Sequence, residues 1–333
     1  MPDASDSLPA DDAHELRGLR ILITGGAGFI GTKVAERLVA DNEIVILDNF
    51  SRNSLAGSSI ESHANLRVVV GDVLDERVVK EATGGADLVI HCAGIAGIDT
   101  VVGRPVQTML VNMIGSANVL AAAAEHQVRR TICFSTSEVF GSRAFGSRET
   151  DLSMIGAAGE ARWTYAVSKL AEEHLGLAYH RQQGLPVTIL RPFNVYGPGQ
   201  VGEGAVRNFV TSAVQDEPIE IHGDGSQIRA WCYIDDMVDA VLLAAADPRA
   251  VGEAFNIGNR RSAETILGLA NTVLRVLESQ SVITYMPSPS ADIELRIPSV
   301  EKAKELLGFE ARIDLEEGIR RTADHFRSAL KSN

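Results

Sequence analysis

The chain has 333 residues, 45% of them hydrophobic and 23% charged, a balance that excludes disorder and supplies enough apolar surface for one large core or two modest ones. Lysine and arginine total 31 against 44 aspartates and glutamates, a formal charge of −13. That field repels phosphate backbones and anionic headgroups, so neither nucleic acid nor membrane is an expected partner; no apolar run approaches the ~20 residues of a bilayer crossing.

Residues 1–18 lead the chain. Met1–Arg17 is acidic, contains proline and lacks a hydrophobic segment, so a disordered extension is expected there rather than a secretory leader. Strand-length apolar runs follow at Arg20–Thr24, Ile44–Leu47, Leu66–Val70, Leu88–His91, Arg130–Ser135 and Pro186–Arg191. Helix-length stretches separate them: Phe29–Ala40, Asp75–Thr83, Val106–Glu125 and Thr164–Gln183. Continuous apolar strands are buried on both faces, and strand–helix alternation predicts a doubly wound parallel α/β domain over 19–191.

After Arg191 the pattern changes. RPFNVYGPGQVGEG carries two prolines and four glycines in fourteen residues and is predicted to be a loop. Shorter signals follow: strands at Ile219–Ile221, Ala230–Tyr233 and Ala254–Ile257, and helices at Asp235–Ala246, Ala263–Glu278 and Leu315–Ser328. Residues 192–333 are expected to form mainly a smaller mixed α/β lobe, with some segments interleaved into the first domain. Cys92, Cys133 and Cys232 have no CxxC or Cys/His metal spacing; reduced thiols in a cytoplasmic protein without a bound metal are expected.

Thr24–Gly31 reads TGGAGFIG, which places Gly25, Gly28 and Gly31 in a GxxGxxG turn between the first strand and first helix. A sharp turn, a backbone open to a pyrophosphate and close helix packing each exclude a Cβ. The helix's first amides then face the anion. Asp48 ends the second strand twenty residues after Gly28, where a carboxylate accepts from ribose hydroxyls and repels a 2′-phosphate. NAD is therefore expected over NADP, with Arg52 close by. Asp72 is a candidate for the adenine edge or, equally, a turn residue. Ala93 lies in the small-residue stretch His91–Gly94, which would let a cofactor lie close.

Tyr165 and Lys169 share a helix face at i and i+4, so the ammonium favours the phenolate and the phenol can take a sugar hydroxyl's proton. Ser135, Thr136, Ser137 and Glu138 follow the fifth strand, at the sheet edge where ligands bind. Their hydroxyls suit a substrate hydroxyl and its developing oxyanion. Glu138 is either a second acid/base or a capping carboxylate.

In this order and spacing, TGGAGFIG, Asp48, STSEVFG and YAVSK resemble the extended short-chain dehydrogenase/reductase family of NAD-dependent nucleotide-sugar epimerases, dehydratases and decarboxylases. VNMIGSANVL, LRPFNVYGPG, GDGSQIRAWCYIDDMVDAV, NIGN and SVEKAKELLGFEARIDLEEGI extend the resemblance over nearly all of Leu19–Arg327. It implies a Rossmann-type fold and a tightly held NAD that oxidises the sugar transiently, usually at C4. Thr136 and Tyr165 would assist, with Ser137 and Glu138 beside them, and Lys169 would support both tyrosine and cofactor. Phe29, Ile30, Asn49, Val73, Asn112, Ser135 and Pro192 would complete the cofactor contacts. Asn194 and Asn208 would contact the substrate, a UDP-sugar, and Arg229 and Arg296 would clamp its diphosphate. A homodimer packed through Val106–Glu125 and Thr164–Gln183 is also implied.

The subclass signals conflict. Gly204 stands where decarboxylases carry an arginine and many epimerases do not. Glu138 resembles the dehydratases and decarboxylases, and ARWTYAVSK resembles one branch of UDP-glucuronate decarboxylases. The leading expectation is a 4-epimerase, an isomerase; the alternatives are a 4,6-dehydratase or a decarboxylase using Glu138. Dinucleotide-sensing modules of this fold, which typically lack the tyrosine–lysine pair, are the remote alternative.

Overall fold

The computed structural model describes residues 16–287 and 293–332, so the expected extension lies outside the described residues from 1 to 15. Leu16 and Gly18, placed at its end, are tied down: the Leu16 carbonyl accepts from Asn42 Nδ2 at 2.9 Å and Gly18 N donates to the Asp41 carbonyl.

Seven strands form the main sheet: β1 (Arg20–Thr24), β2 (Glu43–Asp48), β3 (Leu66–Val70), β4 (Leu88–His91), β5 (Arg130–Phe134), β6 (Val187–Pro192) and β7 (Ala254–Ile257). They pair in parallel in the order β7-β6-β5-β4-β1-β2-β3, the doubly wound arrangement the alternation predicts. The order reverses between β1 and β4. That switch point is where an open α/β sheet leaves a crevice at its carboxyl edge.

Strand alternation fills a core on each face. Ile21 and Ile23 join Val34, Ala35 and Leu38 of α1 (Phe29–Leu38), while Leu22 joins Val79 of α2 (Glu76–Thr83) and Val119 and Leu120 of α3 (Pro105–Glu125) on the other side. β3 departs from the buried-run expectation. It is the outermost strand, and Val68 and Val70, which point to the same face of the sheet, stay exposed. Asp75 caps α2, its carboxylate accepting from the backbone N–H groups of Arg77 and Val78.

α3 contains a π-helical turn, Val111–Gly115, between two α-helical stretches. By length and composition it could cross a bilayer, which corrects the expectation that no run approaches that length; half of its apolar window is nevertheless buried inside the protein. α4 (Thr164–Gln183) lies beside it and ends on Gly184 in the left-handed conformation.

The later chain divides its work. β7 and the helix Ile234–Ala246 join the main sheet, the helix packing on α1, β5 and β6. A four-stranded mixed sheet forms from Arg143–Ser147, Ile228–Ala230, Ala263–Thr265 and Leu295–Pro298. Two expectations change here. The run Ala230–Tyr233 breaks at Trp231 into strands of different sheets, Cys232–Tyr233 pairing with Val195–Tyr196 inside the predicted loop. The predicted helix from Ala263 starts as a strand, because the Thr265 hydroxyl accepts from Gly268 N and begins the helix at Ile266.

Candidate active site

A cleft of about 1020 Å³ opens at the carboxyl edge of β1, β2, β4 and β5. The glycine turn forms its floor. Gly25 has φ +66°, and a Cβ there would lie 2.5 Å from Ala93 N. At Gly31 a Cβ would meet the Gly26 backbone at 2.6 Å, so this glycine serves helix packing. Gly28 is the N-cap of α1 and makes no side-chain cap, leaving the first amides, those of Phe29 and Ile30, without partners inside the helix.

Asp48 is buried at the end of β2. One carboxylate oxygen accepts from Ala27 N at 3.0 Å and the other from Phe50 N at 2.7 Å, so it pins the glycine turn to the turn after β2. Burial raises its pKa, and these amides oppose the rise. Asn49 donates to Asp72 at 3.0 Å. Asp48, Asn49, Asp72, Val73, Ala93 and Pro192 all line the cleft. Asn112 does not. On the π turn of α3, its amide bonds both the N–H and the carbonyl of Ile95 and reaches the Ser168 hydroxyl, so it braces the loop after β4.

Thr136, Tyr165 and Lys169 meet at the inner end of the same cleft, with Ser135 beside them. Thr136 Oγ1 accepts from Glu138 N at 3.2 Å, which turns the hydroxyl's own proton toward Tyr165, and that hydrogen bond favours the phenolate. The sequence expectation that Lys169 draws the phenol down describes only part of the balance. Burial is the larger effect and raises the Tyr165 pKa, Lys169 pulls it back and Glu138 adds to the rise. Close approach of Lys169 also explains Gly94: a Cβ there would lie 3.2 Å from the ammonium nitrogen. Ser135 is committed elsewhere, its hydroxyl donating to Glu173.

Glu138 lies on a 3-10 turn behind Thr136 and faces Arg162, which donates two hydrogen bonds of 2.6 and 3.1 Å to its two oxygens. Arg296 stands 3.7 Å away, 2% exposed, and also donates to the Gly141 carbonyl. Arg229 pairs with Arg296 across adjacent strands. The expected substrate residues are thus dispersed, and of them only Thr136 lines the cleft: Asn194 donates to the Ala230 carbonyl and Asn208 is exposed on the helix Ala205–Val214. Ser137 is buried beside the cleft without lining it.

A sequence model of the NAD dependent epimerase/dehydratase family matches residues 21–258. The chain belongs to that family. UDP-N-acetyl-alpha-D-glucosaminuronate decarboxylase of Bacillus cytotoxicus is 35% identical over 318 residues, covering 92% of this chain and 98% of the relative. dTDP-glucose 4,6-dehydratase of Streptomyces niveus is 30% identical over 93% of each chain. Among solved structures, the UDP-glucose 4-epimerase of Thermotoga maritima with UDP-glucose superposes with a TM-score of 0.86 at 30% identity, over 94% of this chain and 100% of that one. The UDP-glucuronic acid 4-epimerase of Bacillus cereus, solved with UDP-glucuronic acid and NAD, gives 0.84 at 26% identity, over 93% and 100%.

NAD is the cofactor of the epimerase/dehydratase family, and this cleft fits it. The turn at Gly25 admits no side chain, Gly28 leaves helix amides open, and the buried carboxylate of Asp48 faces the same space. Arg52 lines the same cleft and donates to the Ala96 carbonyl at 2.9 Å. Glu203, absent from the sequence-level set, accepts from Asp99 N, Thr100 N and the Thr100 hydroxyl, and joins the loop before residue 205 to the start of the short helix Ile98–Gly103. A lone glutamate in a Gly-rich loop carries no signal that could have found it. Glu172 and Glu173, the doublet after Lys169, were equally silent in sequence.

Proposed function

We propose that the protein decarboxylates a UDP-linked hexuronic acid, using NAD bound in the cleft to oxidise C4 and then to re-reduce it. The observation that carries this proposal is the partly buried Glu138–Arg162 pair, with Arg296 beside it, two residues on from Thr136 and close enough for Glu138 to act on Tyr165. An epimerase needs only space for a 4-keto sugar to turn. Arginine's fork suits the C6 carboxylate of a uronic acid, which favours a uronate over a neutral sugar. The uronate decarboxylase at 35% identity supports the same choice.

Tyr165 takes the C4 hydroxyl proton, and NAD supplies the hydride acceptor. The C4 ketone lies β to the C6 carboxylate, so the C5–C6 bond breaks, carbon dioxide leaves and its electron pair passes to the C4 oxygen. Thr136 and the protonated Tyr165 donate to that oxyanion. Glu138 holds Arg162 in place for the carboxylate. A proton from solvent then adds at C5, and Tyr165 gives its proton back to the C4 oxygen when the ketone is reduced.

Exposed Val106, Leu110 and Ile114 on α3 and Val167 on α4 support a homodimer packed through those helices. The deciding experiment incubates the protein with UDP-glucuronate and UDP-N-acetylglucosaminuronate in deuterium oxide. Carbon dioxide loss with deuterium at C5 is the expected product. Unchanged mass with an inverted C4 would overturn decarboxylation in favour of 4-epimerisation, the second reading, which the 4-epimerase structures and Gly204 support.

A further inference from the structure

Below the reacting phenol, Lys169 Nζ donates to Glu172 Oε2 at 2.6 Å, and the two side chains are 4% and 0% exposed. The neighbouring glutamate is spent differently: Glu173 is bound by Arg191 Nε and Nη2 and by Ser135. Among the described residues Glu172 has no second cation. Its Oε1 is buried with no hydrogen bond of acceptable geometry. Ser116 of α3, close by, donates to the Asn112 carbonyl and meets His91.

We propose that Glu172 is a positioning residue for the reaction, the buried counter-ion that holds the Lys169 ammonium beneath Tyr165. A lone ammonium in a dry interior loses its proton, because burial penalises its charged form by several pH units. Lys169 resists that pull: burial lowers its pKa, Glu172 supplies the largest opposing effect, Tyr165 adds to it and the net direction is up.

The other groups around Glu172 offer no substitute. Tyr165 and Glu173 on α4, Cys92 just after β4 and Cys133 on β5 are acids, and burial holds Cys92 up near 12 and pushes Cys133 up. His91 of β4, nearby through Ser116, is held neutral by burial, with its pKa pushed down to about 3. The Glu172 carboxyl itself is pushed up to about 7 by burial, against the pull of Lys169. The ion pair therefore forms fully above neutrality, where the tyrosine must act as a base.

This role depends on the Tyr165–Lys169 chemistry proposed above, and on no particular sugar. The test compares NAD-loaded wild type with Glu172→Gln and Glu172→Asp by two readouts: the pH profile of kcat/KM, and ¹⁵N NMR titration of the Lys169 side chain. In Glu172→Gln, the Lys169 titration and the alkaline limb are expected to move together to lower pH by about one to three units. Each unit is a roughly tenfold loss at a fixed pH beyond the new limb. Glu172→Asp is expected to recover most of the shift, with bound NAD and Tm unchanged. An unmoved limb and Lys169 titration in a folded Glu172→Gln would overturn the proposal. If that variant does not fold, a wild-type Lys169 that loses its proton near neutral pH overturns it as well. Normal turnover by Tyr165→Phe would instead sink the catalytic reading while leaving the Lys169 titration a valid test of the pair.

Discussion

Arg162 and Glu138 meet through two hydrogen bonds, 2.6 and 3.1 Å, at side-chain exposures of 5% and 16%. Truncating either member of such a pair strands the other's charge in a desolvated site. Glu138→Gln should therefore cut overall turnover by about 10²–10⁴-fold. The transient change in nicotinamide absorbance on adding uronate should persist, because Tyr165 and Lys169 are intact. Stopped-flow absorbance beside a carbon dioxide assay separates the two steps; loss of both together would place Glu138 in the oxidation itself.

Tyr165→Phe removes the group that takes the C4 proton and leaves the glycine turn and Asp48 untouched. Turnover should fall by about 10²–10⁴-fold with NAD still bound. Steady-state rates and the NAD content of the purified variant check this together.

Two glycine substitutions should separate folding from cofactor affinity. Gly25→Ala forces a Cβ to 2.5 Å from Ala93 N at φ +66°, at a cost of about 1–3 kcal/mol, so both Tm and NAD affinity should drop. In Gly28→Ala the methyl meets only the Gly25 carbonyl, at 3.1 Å, at a position that lines the cleft. Its Tm without cofactor should stay near wild type while NAD affinity falls. Calorimetric titration and thermal melts of the two variants read the difference.

Two buried groups oppose each other in the dependence of stability on pH. The native His91 pKa, pushed down from 6.5 to about 3, means the unfolded chain binds the extra proton between those values. Stability from this group is lost as pH falls below 6.5, by about 1.4 kcal/mol per unit. Glu172 works in the reverse sense: its pKa, raised from 4.5 to about 7, means native protein holds a proton that the unfolded chain releases, so stability falls as pH rises through that window. Their slopes offset between about pH 4.5 and 6.5. Glu172→Gln should expose the His91 slope there, measured as denaturant midpoints across that range; an unchanged curve would argue against both assignments.

The cofactor half was largely legible in sequence because its signals are local. TGGAGFIG sits between an apolar strand and a helix, and each glycine has its own steric reason, so the turn at Gly25 and the packing at Gly31 follow from eight residues. Arg143–Ser147 and Leu295–Pro298 left no such mark: strands of five and four residues pair across about 150 positions, and only the folded chain brings them together. The same holds for the site. Tyr165 and Lys169 are one helical turn apart and declare themselves, whereas Arg296 reaches Glu138 from the far end of the chain. The Glu172–Glu173 doublet shows the limit most clearly, because adjacent identical side chains take different partners once the helix docks.

β7 pairs along β6 from Ala254 beside Ile189 to Ile257 beside Pro192. A ribosome delivers the chain from its amino end, so β6 emerges with a bare, apolar edge and keeps it until about three quarters of the 333 residues have been made. An unpaired edge of that kind is a template for another chain. The main sheet is thus completed late in synthesis, and a nascent chain stalled between residues 192 and 253 presents that edge to aggregation.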